Sequence, residues 1–323
     1  MNSKPQSSAG KSSGPWRVVF FGTPEFAVPS LRALVESGEE VALVVCQPDK
    51  PAGRGQKLAP PPVKQVATEL GVPVFQPQTL RTPEAVEAVA RQRPDAIVVA
   101  AYGKILPRAI LELPPHGCLN VHASLLPRYR GAAPIQWAIL RGENETGISI
   151  ILLTEEMDAG PILLQRRVAI GAEETYGELQ ARLAHLGAEC LIEALAGWRA
   201  GTLEPHEQDP DQVTFAPMIR KEQGHIVWTE TAEFICRQVR AFNPWPSAFF
   251  LWQGRLVKVH HARPVRGQES SAPGTVIESG KRLVIQAGQG AVEILELQME
   301  GRRRMAAQEF LAGHPIEAGT RLE

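Results

Sequence analysis

The chain has 323 residues, 44% hydrophobic and 21% charged, with a formal net charge of -1. Such a length exceeds the usual single domain and predicts two, each large enough to bury a core. The near-neutral charge leaves any nucleic-acid contact to local patches, and no apolar run reaches the roughly 18 residues a membrane-spanning helix requires. Four cysteines, at 46, 118, 190 and 236, form no C-x-x-C pair. Their surroundings suit buried free thiols in a reducing cytosol, so a cytoplasmic protein without a metal site is expected.

Residues 1–15 are rich in Ser, Lys, Gly and Pro, cannot bury enough apolar surface to order, and read as a disordered tail. They lack the hydrophobic segment of a signal peptide and the arginines of a transit peptide. Gly10-Lys11-Ser12 matches the end of a phosphate-binding loop only superficially. Pro5 stands where the leading glycine belongs, and no strand precedes it.

Arg17 to Phe21 is a short apolar strand ending at Gly22, with Thr23 as N-cap and Pro24 at the first position of a following helix. Val41 to Cys46 is a second strand. After a long loop, Pro62 to Leu70 reads as helix, Val72 to Phe75 as strand, and Pro83 to Arg91 as helix. Ala96 to Ala101 is another apolar strand, Leu106 to Leu113 a short helical connection, and Cys118 to Val121 the next strand. Strands that are apolar throughout and alternate with helices indicate a parallel sheet covered on both faces. Ligands of such Rossmann-like α/β sheets sit at the carboxyl ends of the strands.

The pattern then changes. Ala133 to Leu140 is helical, and strands at Gly147–Leu153 and Pro161–Val168 follow so closely that a hairpin-like, antiparallel addition to the sheet is expected. Thr175 and Glu178 form a capping box opening a long helix that ends at Gly201. Residues 204–222 are polar and proline-containing, as in a linker between domains at 16–203 and 223–323. Beyond it a short helix from Ala232 to Phe242 precedes five short strands separated by glycine-containing turns. A small, OB-like β-barrel is expected.

Chemistry concentrates at Asn120 and His122, which alternation places on one side of a strand that is otherwise apolar. They read as polar groups delivered into a cleft or as a solvated strand end. A single glycine after the first strand replaces the G-x-G-x-x-G that a dinucleotide requires, which counts against a dehydrogenase. No nucleophile elbow or H-E-x-x-H pair is present. Asp158 is the best third partner, with Glu155 and Glu156 as competing carboxylates, and Ala159-Gly160 lets backbone approach a ligand closely. Such a trio lacks a hydroxyl or thiol nucleophile. It suits acyl transfer to an amine, with Asn120 donating to the developing oxyanion, His122 donating or moving a proton, and Asp158 holding the imidazole and relaying the proton the amine loses.

Several stretches carry a resemblance: Gly22-Thr-Pro-Glu-Phe-Ala, Gln47-Pro-Asp-Lys-Pro-Ala-Gly-Arg-Gly55, Ala101-Tyr-Gly-Lys-Ile-Leu-Pro107, Asn120 to Gln136, Met157-Asp-Ala-Gly-Pro161 and Arg240-Ala-Phe-Asn-Pro-Trp-Pro246. Together they resemble the 10-formyltetrahydrofolate-dependent formyltransferases, and within them the tRNA-modifying branch, from about residue 17 to the C-terminus. Ala123 stands where other members also carry glycine. The resemblance implies formyl transfer from 10-formyltetrahydrofolate to the α-amine of methionyl-initiator tRNA. It implies Asn120, His122 and Asp158 as catalytic residues and the folate near Ser124, Leu125, Leu126 and Pro127. It further makes the loop from Gln47 to Pro61, with Lys50, Arg54 and Lys57, an arm that grips the tRNA acceptor end, where the residues alone read equally as a mobile basic loop.

From Phe234 to Gln268 there are six cations and no acid before Gln268, namely Arg237, Arg240, Arg255, Lys258, Arg263 and Arg266. They suit phosphate neutralisation by a C-terminal tRNA-binding domain. The aromatics among them (Phe242, Trp245, Phe249, Phe250 and Trp252) read as core or hinge packing, and Arg302-Arg303-Arg304 as a second basic run or a solvated turn. A monomer is expected. The rival readings are a formyltransferase for a sugar-nucleotide or purine-pathway amine, a non-catalytic tRNA-binding protein, and a formyltetrahydrofolate hydrolase.

Overall fold

The computed structural model describes residues 14–52, 57–268 and 270–322. Most of the expected tail, Arg54 and the side chain of Lys57 lie outside the described residues. The chain folds as two compact units. The first comprises Met1–Ala132, Gly147–Val168 and Ala181–Phe215, and the second Ala133–Thr146, Ala169–Gln180 and Ala216–Glu323.

In chain order the first fifteen elements are β1 (Arg17–Gly22), α1 (Val28–Glu36), β2 (Glu40–Val45), β3 (Lys50–Ala52), β4 (Lys57–Ala59), α2 (Pro62–Glu69), β5 (Val74–Phe75), α3 (Pro83–Ala90), β6 (Ala96–Ala100), α4 (Arg108–Leu111), β7 (Cys118–His122), α5 (Pro134–Leu140), β8 (Glu145–Leu152), β9 (Ile162–Ala169) and α6 (Tyr176–Ala200). Seven strands form one sheet in the order β5-β2-β1-β6-β7-β8-β9. The pairs from β5 to β7 are parallel, and β8 runs antiparallel to β7. That is the switch the closely spaced strands predict.

Val18, Val19, Phe20 and Phe21 of β1 are all fully buried, as a strand covered on both faces requires. Burying each such side chain stabilises the fold by about 1.5–3 kcal/mol. On one face Val19, Phe21, Val45, Ile97 and Val99 pack with Leu80, Val89 and Ile110. On the other, Gly187 lets α6 lie against β7, because a Cβ there would meet Val121 Cγ1 at 2.8 Å. The capping box of α6 forms, Glu178 Oε2 accepting from the Thr175 N–H at 2.9 Å.

Two expectations are corrected here. Thr23 caps no helix: a 3₁₀ turn at Glu25–Ala27 precedes α1, and the Thr23 hydroxyl instead donates to Tyr102 O at 3.1 Å. The loop after β2 also contains a two-stranded ribbon, with Lys50 paired to Ala59 and Pro51 to Leu58. Proline and alternation are both too weak in this segment to announce strands.

The second unit contains α5 and the elements α7 (Ala232–Ala241), β10 (Ala248–Trp252), β11 (Arg255–Val265), β12 (Val276–Glu278), β13 (Leu283–Gln286), β14 (Ala291–Met299), β15 (Met305–Ala306) and α8 (Ala307–Gly313). Arg237 Nε on α7 donates to Leu140 O on α5 at 3.1 Å. The antiparallel path runs β10-β11-β14-β13-β12, with β15 beside β14. Register shifts between Val259 and Ala262 bulge β11 and curl the sheet. The five expected strands are present. Among the described residues the path stays open at β10 and β12, giving a half-barrel instead of a closed one. Val257, Val259, Ile285, Ile294 and Leu297 face α7 and α8 residues such as Ile235 and Phe310 in one core. No helix of the described residues is long and apolar enough to cross a membrane.

Candidate active site

Strand β7 aligns Asn120 with Ile151 and His122 with Ser149 of β8. Leu119 and Val121 point into the core, so the alternate positions carry Asn120, half-buried, and His122, 6% exposed. The chain then turns through residues 123–131, and the hydroxyl and carbonyl of Thr214 fasten that turn. Tyr129 N–H donates to Thr214 Oγ1 at 2.9 Å, and Arg130 N–H to Thr214 O at 2.9 Å. Tyr129 adopts the left-handed backbone region with φ +63°, which aims its carbonyl back toward β7.

That carbonyl lies 3.0 Å from His122 Nε2. A carbonyl oxygen only accepts, so Nε2 carries the proton and Nδ1 faces the other way. On that side stands Asp158 Oδ2, 3.7 Å from Nδ1. The distance exceeds a hydrogen bond and leaves the two groups free to share a substrate proton. Asp158 Oδ2 also accepts from the Gly131 N–H at 2.8 Å, and its side chain is 13% exposed. Backbone φ at Asp158 is +51°, sparsely populated for a residue bearing a Cβ and frequent at functional sites. The sequence-predicted His122 and Asp158 are thus brought together, with Asn120 two residues away on the same strand.

Gly160 is required by the packing of its own loop. A Cβ there would lie 1.7 Å from Leu152 O, so the glycine allows the returning chain to press against its own backbone. Of the competing carboxylates, Glu156 pairs with Arg130 at 3.2 Å and is 77% exposed, whereas Glu155 lies 3.5 Å from Arg108. Neither is paired with His122 among the described contacts.

The Ser124–Pro127 segment forms a pinned wall. Ser149 Oγ donates to Ser124 O at 2.6 Å and accepts from the Leu126 N–H at 3.1 Å, while Gln165 Nε2 donates to Leu126 O at 2.8 Å. The Ser124 hydroxyl is spent on Arg128 O at 2.7 Å. Ser124 and Leu126 are buried, leaving Leu125 and Pro127 with the accessible apolar surface. The carboxyl ends of β1, β2 and β6 are tied separately. Gln47 N–H donates to Thr23 Oγ1 at 3.3 Å and Gln47 Nε2 to Tyr102 O at 2.9 Å. Lys50 Nζ donates to Gln47 Oε1 at 2.8 Å, which places one predicted cation over those strand ends. Asp49 is held below the usual carboxylate range by hydrogen bonds from Lys64 and Gln76.

All four cysteines are buried and free. Burial pushes the thiols of Cys118 and Cys236 up to about 12, which suits packing and not nucleophilic chemistry.

The formyl transferase family matches residues 16–195, and the family's C-terminal domain matches residues 218–315. The chain belongs to the formyl transferase family. It is 48% identical over 307 residues to a protein of Geobacter sulfurreducens named methionyl-tRNA formyltransferase, covering 95% of this chain and 96% of that one. It is 50% identical over 305 residues to a protein of the same name from Myxococcus xanthus, covering 94% and 97%. Among solved structures, HypX from Aquifex aeolicus in complex with tetrahydrofolic acid superposes with a TM-score of 0.61 at 18% identity, a likeness of fold. The match covers 95% of this formyl transferase family chain and 50% of HypX, so the chain spans about half the length of that protein.

Of the six cations expected to form a basic patch in the C-terminal half, one is paired with a carboxylate and two keep their charge while donating to backbone carbonyls. Arg263 is neutralised by Glu293 at 2.8 Å, Arg237 is engaged with Leu140 O and Arg240 with Glu174 O. Arg255 and Arg266 are exposed and Lys258 half-buried. Arg303 and Arg304 pair with Glu309 and Glu296, which favours the solvated-turn reading of that run. Phe242, Phe250 and Trp252 are core residues as expected, but Trp245 is 52% exposed and is not. The sequence does not reveal Tyr129 O, a backbone group that no residue type advertises, nor Thr214 and Gln208, which lie in a stretch that reads as linker.

Proposed function

We propose that the protein transfers the formyl group of 10-formyltetrahydrofolate to the α-amine of methionyl-initiator tRNA, as a cytoplasmic monomer. The carrying observation is the identity of nearly one half, over nearly all of the chain, to relatives bearing that activity in their names. The His122–Asp158 pair at the carboxyl end of β7 supports the same reading, and so does the tetrahydrofolic acid held by HypX, whose fold this chain shares. The domain division proposed with it is a catalytic domain over 16–203, a linker over 204–222 and a tRNA-binding domain over 223–323.

The residues fit a folate co-substrate. Leu125 and Pro127 offer apolar surface to a flat heterocycle, next to a polar trio suited to the formyl group. The folate supplies an activated formyl carbon. Transfer breaks its bond to the folate N10 and forms one to the methionyl nitrogen, and the proton lost by the amine ends on N10. Asn120 donates from its carboxamide to the formyl oxygen as charge develops there, an interaction worth about 10²–10³ in rate. Asp158 accepts the proton of the attacking amine. His122, its Nε2–H committed to Tyr129 O, presents Nδ1 between Asp158 and the substrate and passes that proton on. No covalent intermediate on the protein is needed, because a deprotonated amine is itself a sufficient nucleophile. Lys50, with Arg54 and Lys57 of the same loop, contacts the acceptor end of the tRNA.

Incubation with labelled 10-formyltetrahydrofolate and charged initiator tRNA is expected to yield formylmethionyl-tRNA, with no transfer to a sugar-nucleotide amine. His122→Ala is expected to abolish transfer while tRNA binding stays near that of the parent. Near-parental turnover by that variant would sink the assignment of His122. Tight, salt-dependent tRNA binding without folate binding would replace the enzyme with an RNA-binding protein.

A further inference from the structure

Asp158 sits in a strained left-handed conformation, and something must hold it there. The holding group is a single carboxamide from a part of the chain that reads as linker. Gln208 Nε2 donates to Asp158 O at 2.7 Å and to Gly160 O at 2.8 Å. Its Oε1 accepts from Arg130 Nε at 3.1 Å and from a terminal nitrogen of the same guanidinium at 2.9 Å. Both donors and both acceptor positions are used. The orientation of the amide is therefore fixed by chemistry, since a guanidinium can only donate and carbonyls can only accept. Arg130 is itself 7% exposed, on the same turn and one residue before Gly131, whose N–H holds Asp158 Oδ2. Gln208 thus ties together the turn after β7 and the loop that carries Asp158.

We propose that Gln208 is a positioning residue for the formyl transfer reaction. It clamps Asp158 at its left-handed backbone angle and couples it to the buried Arg130, so that the carboxylate faces His122 Nδ1. The proposal rests on the reading of Asp158 as the proton acceptor. Only a carboxamide of this length can do this. Glutamate at 208 would keep the shape and the pairing with Arg130, but would set an oxyanion against the carbonyls of Asp158 and Gly160.

The test compares Gln208→Glu and Gln208→Met with the parent in steady-state formyl transfer to methionyl-tRNA, alongside thermal melting. Both variants are expected to lower kcat by about 10²-fold, the cost typical of misplacing a reacting group by about an ångström, with KM for either substrate changed less than about threefold. The kcat-against-pH profile is expected to move in both, because the carboxylate is no longer held against the imidazole; a purely structural contact would leave that profile in place. A kcat within about twofold of the parent overturns the proposal. So does a loss divided equally between kcat and KM, or the disappearance of the melting transition in both variants, since Gln208 would then be holding the fold and not the carboxylate. Absence of formyl transfer by the parent itself would instead overturn the proposed function.

Discussion

Glu293 and Asp158, one in each compact unit, are both carboxylates with little of the side chain in solvent, and they are held in opposite ways. Glu293 on β14 is 4% exposed and locked by Arg263 Nε at 2.8 Å and by Arg282 Nε and a terminal nitrogen at 3.0 and 2.9 Å. Chiefly through the Arg282 hydrogen bonds, its carboxyl is driven down to about 2. Asp158 has a backbone N–H, an imidazole at arm's length and no guanidinium on its carboxylate oxygens among the described pairs, although Arg130 is only one amide away. The first carboxylate is saturated with cations and has no proton to exchange near neutrality. The second keeps a lone pair beside a group that can accept or supply a proton. Full pairing makes a strut, and partial pairing on a strained backbone makes a candidate catalyst.

Breaking the comparison on the Asp158 side has the largest expected effect. Asp158→Asn preserves the residue type most at ease in the left-handed region and retains an acceptor for the Gly131 N–H, so melting should barely change. Turnover should fall by about 10²–10⁴-fold, the range for loss of a positioned base. A variant that keeps at least a tenth of parental turnover in the formyl transfer assay would return Asp158 to the status of a structural residue.

The mirror experiment touches the strut. Glu293→Gln should leave kcat unaltered and lower stability by about 1–2 kcal/mol in urea titrations. That is less than the full shift implies, because the two arginines are 56% and 41% exposed and solvent screens them. Because the folded-state carboxyl is held below its unfolded value, this contribution is complete above about pH 4.3. It is then lost as pH falls toward about 2. The parent should therefore lose stability across that window, and the variant should lose less of it. Identical acid titrations of parent and variant would refute the strut.

Much of this contrast is legible in the sequence, and the unread part has physical causes. The parallel sheet was written in unbroken apolar strands such as Val18–Phe21, and the position of His122 in plain alternation along β7. Asp158 could be picked out as a carboxylate between closely spaced strands. Its supports could not. Tyr129 contributes a carbonyl, Gly131 an amide, and Gln208 a side chain some fifty residues away, the Gln208–Asp158 separation being 50. None of these depends on a local pattern, and a polar, proline-containing stretch such as 204–215 looks the same whether it is solvated or stapled to a site. The pairing of one C-terminal cation is hidden from the sequence for a related reason. Composition shows Arg263 but not the Glu293 that β14 sets across from it in register. Trp245, which is exposed, cannot be told from the core aromatics in the sequence, because a hydrophobic residue within a proline-rich turn carries no periodicity to say which way it points.

The smallest expected effect is the most discriminating about what Arg130 contributes. Its guanidinium reaches Glu156 at 3.2 Å through one terminal nitrogen, and Glu156 is 77% exposed. Water screens the exposed Glu156 end of this pair, so its charge contributes about 1 kcal/mol even though the guanidinium is buried. Glu156→Gln should therefore change kcat/KM by less than about fivefold and leave melting nearly untouched. It keeps an acceptor oxygen for the same nitrogen, so only the charge is removed. If turnover instead fell as far as in Asp158→Asn, the competing carboxylate in Glu155-Glu156 would be the proton acceptor, and the short reach of Asp158 to His122 would be architecture. A null result places the burden on Asp158, which among the described pairs has no arginine on its carboxylate, and its half-satisfied surroundings already argue for it.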